Sequence, residues 1–135
     1  MDQQRFKVSG RIPKEEAVRK MQSAHILLAP SFPDTPGTYG SKIFDYLRAE
    51  RPILAFPEDD GTIAELVRST NTGTVLDTPE AIKEEIRRRY EEFEREGDVR
   101  CDPDKEAIQR YSRRAQVAVF AEALDSFLGS EVQNS

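Results

Sequence analysis

The stretch Ser41-Lys42-Ile43-Phe44-Asp45-Tyr46-Leu47-Arg48-Ala49-Glu50-Arg51-Pro52-Ile53-Leu54-Ala55-Phe56 decides the fold. Ile43, Phe44 and Leu47 recur at helical spacing, so the first half reads as a short helix with an apolar face. Ile53 to Phe56 is an unbroken apolar run closed by Pro57, as expected of a strand covered on both faces of a parallel sheet. Working outward, the same alternation repeats. His25 to Ala29 reads as a second buried strand, preceded by a helix that starts at Pro13 and carries Ala17, Val18, Met21 and Ala24 on one stripe. Phe6-Lys7-Val8 is a brief strand candidate. Downstream, Ile63, Leu66 and Val67 mark a short helix, and Gly73 to Leu76 a last strand.

Thr78-Pro79-Glu80 then has the form of a helix start, an N-cap followed by proline at the first helical position. The long helix after it carries Ile82, Ile86, Tyr90 and Phe93 and is broken at Gly97-Asp98. Asp102-Pro103 repeats the start signal, and closing helices are expected over about 102–128. Strand and helix in alternation, with short connections, predict an α/β fold with a doubly wound parallel sheet of about four strands, in one partial domain over residues 1–135.

The chain has 135 residues and a formal net charge of −5. That balance argues against nonspecific nucleic-acid binding, which needs clustered cations to displace counterions. Arg87-Arg88-Arg89 is followed at once by glutamates and reads as a solvated helix face. The single cysteine, Cys101, rules out an internal disulfide and a zinc cluster of cysteines. His25, the only histidine, reads as a strand-start residue. No apolar run approaches a membrane span, so the expected location is cytoplasmic, or peripheral to the inner face of a membrane.

In an open α/β sheet ligands sit beyond the carboxyl ends of the strands. The long loop from Pro30 to Gly40 lies in such a position and delivers Gly40 and Ser41 to a helix start, where free amides attract anions. Lys42 opposes the helix macrodipole there at about 0.3–1 kcal/mol, a penalty that a bound phosphate would reverse. Asp45, one turn on, is placed to accept from ribose hydroxyls. The plain alternative is a Lys42–Asp45 surface ion pair. Glu58-Asp59-Asp60 has the spacing of an acidic metal motif, but it follows Pro57 and precedes Gly61 and reads as a solvated loop.

Ala29-Pro30-Ser31, Ser41-Lys42-Ile43-Phe44-Asp45-Tyr46-Leu47 and Arg51-Pro52-Ile53-Leu54-Ala55 closely resemble the C-terminal, donor-binding domain of family-4 (group 1) GT-B glycosyltransferases. The resemblance runs from about Phe6 to Ile86 and more loosely through the closing helices. It implies a partial Rossmann-like fold that binds a nucleoside-diphosphate sugar of the UDP or GDP type, with no cofactor or metal, and supports retaining transfer to an acceptor. Asp45 falls where the family has the second glutamate of its E-x7-E motif, which holds the ribose. The first falls at Gly37, which has no side chain. Lys42 would meet the diphosphate, helped by amides of Tyr39, Gly40 and Ser41. Gly10-Arg11-Ile12 matches the turn that faces the nucleobase, and Thr38 and Tyr39 would lie nearest the donor sugar. No catalytic residue is identified.

In that family two further strand–helix units and an acceptor-binding N-terminal domain precede this region. The expectation is therefore a chain inactive alone, a fragment or one that docks with another polypeptide, with an exposed sheet edge beside the His25–Ala29 strand prone to pairing. The rival reading is a noncatalytic α/β interaction module, or inactive fragment, that binds a protein partner through its helices. A GT-B-type sugar-nucleotide epimerase would call for further carboxylates and histidines.

Overall fold

The computed structural model describes residues 5–34, 42–59 and 61–133, with the side chains of 131–133 excepted. In chain order the elements are α1 (Lys14–Ser23), β1 (Leu27–Pro30), α2 (Lys42–Ala49), β2 (Ile53–Phe56), α3 (Thr62–Ser69), β3 (Gly73–Val75), α4 (Pro79–Glu96), α5 (Lys105–Gln109) and α6 (Arg113–Gln133). The strands form a parallel sheet in the order β1-β2-β3. Leu27 pairs with Ile53 at one end of the first ladder and Pro30 with Phe56 at the other, while Ile53 to Ala55 pair with Gly73 to Val75.

The described residues hold three strands rather than four. Phe6 to Val8 is irregular and exposed, with Phe6 at 61% and Val8 at 96% accessibility. No described neighbour supplies that segment with ladder bonds, so its β-prone residues alone do not make a strand. The first strand also starts later than expected, at Leu27. His25 stands before it and sets its ring edge-on to Phe93 of α4, with centroids 4.7 Å apart.

One face of the sheet carries the core. Leu27 and Ala29 of β1 and Ile53 and Ala55 of β2 meet Ile43 and Leu47 of α2 and Ile63, Leu66 and Val67 of α3. Both crossovers thus lie on the same face, as a parallel sheet that advances in one direction requires. Met21 and Ala24 at the end of α1 pack against this cluster, as the apolar stripe of that helix predicts. On the opposite face Leu54 is buried and lines an apolar cleft with Ile82 and Ile86 of α4, but Leu28 is 62% exposed. Double-sided burial, expected of both early strands, therefore holds for β2 and not for β1.

The helix starts follow their signals with one shift. The Thr78 hydroxyl accepts from the Ala81 amide at 3.1 Å with Pro79 next in line, and Gly97 closes α4 in the left-handed conformation at φ 80°. α5 starts after Asp104, whose carboxylate accepts from the Ala107 amide at 2.9 Å, and not at Asp102-Pro103. The Asp102 carbonyl instead accepts from the Asn71 side chain at 2.8 Å, which fixes that residue in the connection.

The arginine run of α4 is only partly a solvated face. Arg89 keeps 13% of its side chain accessible and donates to Glu85, Glu92 and the Arg100 carbonyl. Glu92 in turn accepts from the Arg100 amide at 3.0 Å. Burial pushes the Glu85 carboxyl up, but the bonds from Arg88 and Arg89 outweigh it and hold the group below its ordinary value. The network clamps the segment after α4 back onto the helix.

β1 is an outer strand. Leu27 and Ser31 donate backbone bonds toward the β2 side, to Pro52 and Phe56, so Leu28 and Pro30 direct their backbone groups to the open edge. At the other ladder, Gly73 lies against the backbone of Ile53, and a Cβ there would collide with the Ile53 carbonyl. Gly73→Ala is expected to lower the unfolding free energy by at least about 2 kcal/mol, measured by urea denaturation with circular dichroism.

Candidate functional site

The predicted site residues divide into those the structure brings together and those it does not. Thr38, Tyr39, Gly40 and Ser41 lie outside the described residues, as does Gly37. Gly10 and Arg11 are exposed in the irregular segment ahead of α1 and Ile12 is half-buried. Lys42 is the exposed first residue of α2, and Asp45 is half-buried one turn further on. No ion pair joins them, so the simple surface pair does not form. Ala49, which helical spacing puts near their face, is buried at 8%. It belongs to the core cluster, and the chain turns directly after it at Glu50, which adopts φ 54°.

Lys42 and Asp45 face different cavities on the two flanks of α2. Lys42 lines an apolar one of about 280 Å³ with Leu28, Ala29, Pro30, Phe32, Ile43, Tyr46 and Ile63, at the carboxyl end of β1. Asp45 lines one of mixed character and about 740 Å³ with Lys14, Phe44, Arg48, Tyr111, Arg113 and Gln116. This second cavity joins the start of α1, the outer side of α2 and the start of α6. Tyr111 packs against the core, and its hydroxyl lies 3.2 Å from that of Ser69. Ser112 caps α6 by accepting from the Ala115 amide at 3.1 Å, which places Arg113 at the mouth of the cavity.

Sequence reasoning missed Lys14, Arg48, Tyr111 and Arg113. A signal was present in part. Lys14 opens α1 and Arg113 opens α6, so both are cations set against a helix macrodipole, as Lys42 is at α2.

Two residues near the strand ends turn out to be structural. Ser31 is buried, donates its hydroxyl to the Pro57 carbonyl, and donates its amide to the Phe56 carbonyl at 3.0 Å. It ties the end of β1 to the end of β2, where the Phe56–Pro57 bond is cis. Asp59 is not a solvated loop residue. Its carboxylate accepts from the Ile63 and Ala64 amides at 2.9 and 3.1 Å and thereby caps α3. Glu58 pairs with Arg68 at 2.7 Å. Among the described residues no group of three or more His, Cys, Asp or Glu is placed to hold a metal ion. Cys101 is half-buried, and burial raises its thiol pKa, which opposes a nucleophilic role. No described helix is long and apolar enough to cross a membrane.

Comparison with protein-family models, with curated proteins and with solved structures finds no match to the chain.

The Asp59 cap has a pH signature. Burial raises the pKa of its carboxyl, but the bonds from the Ile63, Ala64 and Gly61 amides outweigh this and depress it. A depressed folded value means the stabilisation is fully present above the unfolded carboxyl pKa of about 3.9 and is lost as pH falls through the folded one. Asp59→Ala should cost about 1 kcal/mol near neutrality, a difference that shrinks below about pH 4. Parallel urea titrations of both proteins across that range check it.

Proposed function

We propose that the chain is the nucleotide-sugar-binding part of a GT-B glycosyltransferase similar to family 4, with a partial Rossmann-like sheet that receives a UDP- or GDP-linked sugar. One observation carries the reading. The stretch that resembles the family folds as α2 followed by the central strand, with Lys42 exposed at the first helical position beside the carboxyl end of β1 and Asp45 one turn on. This is where an open α/β sheet takes its ligand.

In this reading Lys42 meets the diphosphate and Asp45 accepts from the ribose. As the sugar–phosphate bond breaks, negative charge grows on the diphosphate, and a fixed ammonium at a helix start stabilises it more than it stabilises the intact donor. The acceptor comes from a partner domain, so the chain alone binds donor without turnover. The separation of Lys42 and Asp45 onto two flanks of α2 fits a donor laid across the start of the helix, phosphate on one side and ribose on the other.

A second reading, a protein-interaction module, is favoured by α6. Val117, Phe120, Leu124 and Phe127 recur along it at helical spacing and are 45–70% exposed.

Titration with UDP and GDP, followed by calorimetry and amide NMR, decides between the two. Saturable binding to the folded chain is expected, weakened about tenfold by Lys42→Ala through loss of a charge-assisted contact. A folded chain that binds neither nucleotide, or a Lys42→Ala variant that binds both unchanged, removes the donor reading.

A further inference from the structure

The cavity between α1, α2 and α6 is lined by three cations and one carboxylate. Elsewhere in this acidic chain most arginines, Arg51, Arg68, Arg88, Arg89 and Arg100 among them, are paired with a carboxylate. Lys14, Arg48 and Arg113 converge on one cavity of about 740 Å³, and none of them forms an ion pair with a described carboxylate. Asp45 is the sole acid among the lining residues. The rings of Phe44 and Tyr111 complete the walls, and the contact between the Tyr111 and Ser69 hydroxyls fixes the second ring.

Three cations that share one carboxylate and pair with none repel one another, and two of them, Lys14 and Arg113, also oppose the macrodipoles of the helices they open. A bound anion removes both penalties, and guanidinium groups suit the paired oxygens of a phosphate. The volume is that of a small-molecule site. A carboxylate among the cations is out of place for a bare phosphate but suits a ligand that also carries hydroxyls, since Asp45 accepts from them.

We propose that this cavity is a binding site for hydroxyl-bearing phosphate esters such as a sugar phosphate, with Arg48, Arg113 and Lys14 on the phosphate and Asp45 on the hydroxyls. The site does not depend on the donor reading, because Lys42 lines the other flank of α2 and takes no part in it. Asp45 is the residue common to both.

The test uses the full chain, with inorganic pyrophosphate and ribose 5-phosphate as probes, calorimetry for affinity and amide NMR for location. Both probes should bind and shift resonances at the starts of α1 and α6. Arg48→Ala/Arg113→Ala, both exposed positions, should weaken both probes at least about tenfold with the fold intact by circular dichroism. Lys83→Ala, which removes an exposed cation on α4, should change neither. Asp45→Asn should split the probes, tightening pyrophosphate by removing repulsion and weakening ribose 5-phosphate by removing an acceptor. The proposal is overturned if the folded wild type binds neither probe, if the double variant binds as wild type, or if Lys83→Ala weakens binding equally. An Asp45→Asn variant that moves both probes in the same direction overturns the role of Asp45. Probe binding that survives Lys42→Ala but not Arg48→Ala/Arg113→Ala supports this site whether or not UDP binds. Probe binding that is lost in Lys42→Ala and kept in the double variant overturns it.

Discussion

Everything in this molecule is arranged around the burial of β2, which is hydrogen-bonded on both sides and covered on both faces. Ile53, Leu54 and Ala55 keep at most 2% of their accessibility, and Pro52 just before them is buried as well. A strand so enclosed fixes its neighbours closely. β3 must approach without a side chain at Gly73. The buried hydroxyls of Thr70 and Thr72, 2.8 Å apart, need each other and the Leu66 carbonyl, because a buried polar group left without a partner is costly. At the strand's amino end Arg51 donates to the Gln22 carbonyl at 2.8 Å and to Asp98 at 3.0 Å, holding the end of α1 and the segment after α4 beneath the sheet. At its carboxyl end Ser31 and Asp59 tie down the connections on either side.

The charged residues divide into two populations. Around α4 they are consumed in structure, with Glu85, Arg89 and Glu92 nearly buried and mutually satisfied. Around α2, Lys42, Asp45 and Arg48 form no ion pair among the described residues. A long charged helix and a short amphipathic one thus exchange the roles that composition suggests for them, and the richer run of arginines is the less available to a ligand.

The sequence was a good guide where a local pattern had one physical meaning. Unbroken apolar runs became β1, β2 and the core, and Thr78-Pro79 and Gly97 bounded α4 as capping chemistry requires. It was a poorer guide where meaning came from a distant neighbour. Phe6-Lys7-Val8 has β-prone residues but no described strand to pair with. Asp59 looked solvated because the amides it caps belong to a helix whose entry angle is set by the sheet. Of the site, Lys42 stood out because a cation at a helix start is locally unfavourable. Arg48 shares a helix face with Asp45 by its i, i+3 spacing and was legible in principle, whereas Tyr111 carried no mark, since only the packing of the α5–α6 junction brings it there. The segment 35–41, on which much of the donor expectation rests, lies outside the described residues.

The outward edge of β1 has a further consequence. Backbone groups there alternate in direction, and the position that would offer the next donor after Leu28 is Pro30, which has no amide hydrogen. A strand laid along this edge would find a partner for its carbonyls near the amino end of β1 and none near the carboxyl end. Lateral growth of the sheet therefore has a built-in stop on the side where Pro30 and Phe32 line the mouth of the Lys42 cavity, and a chain that joined the edge would diverge before it roofed that opening.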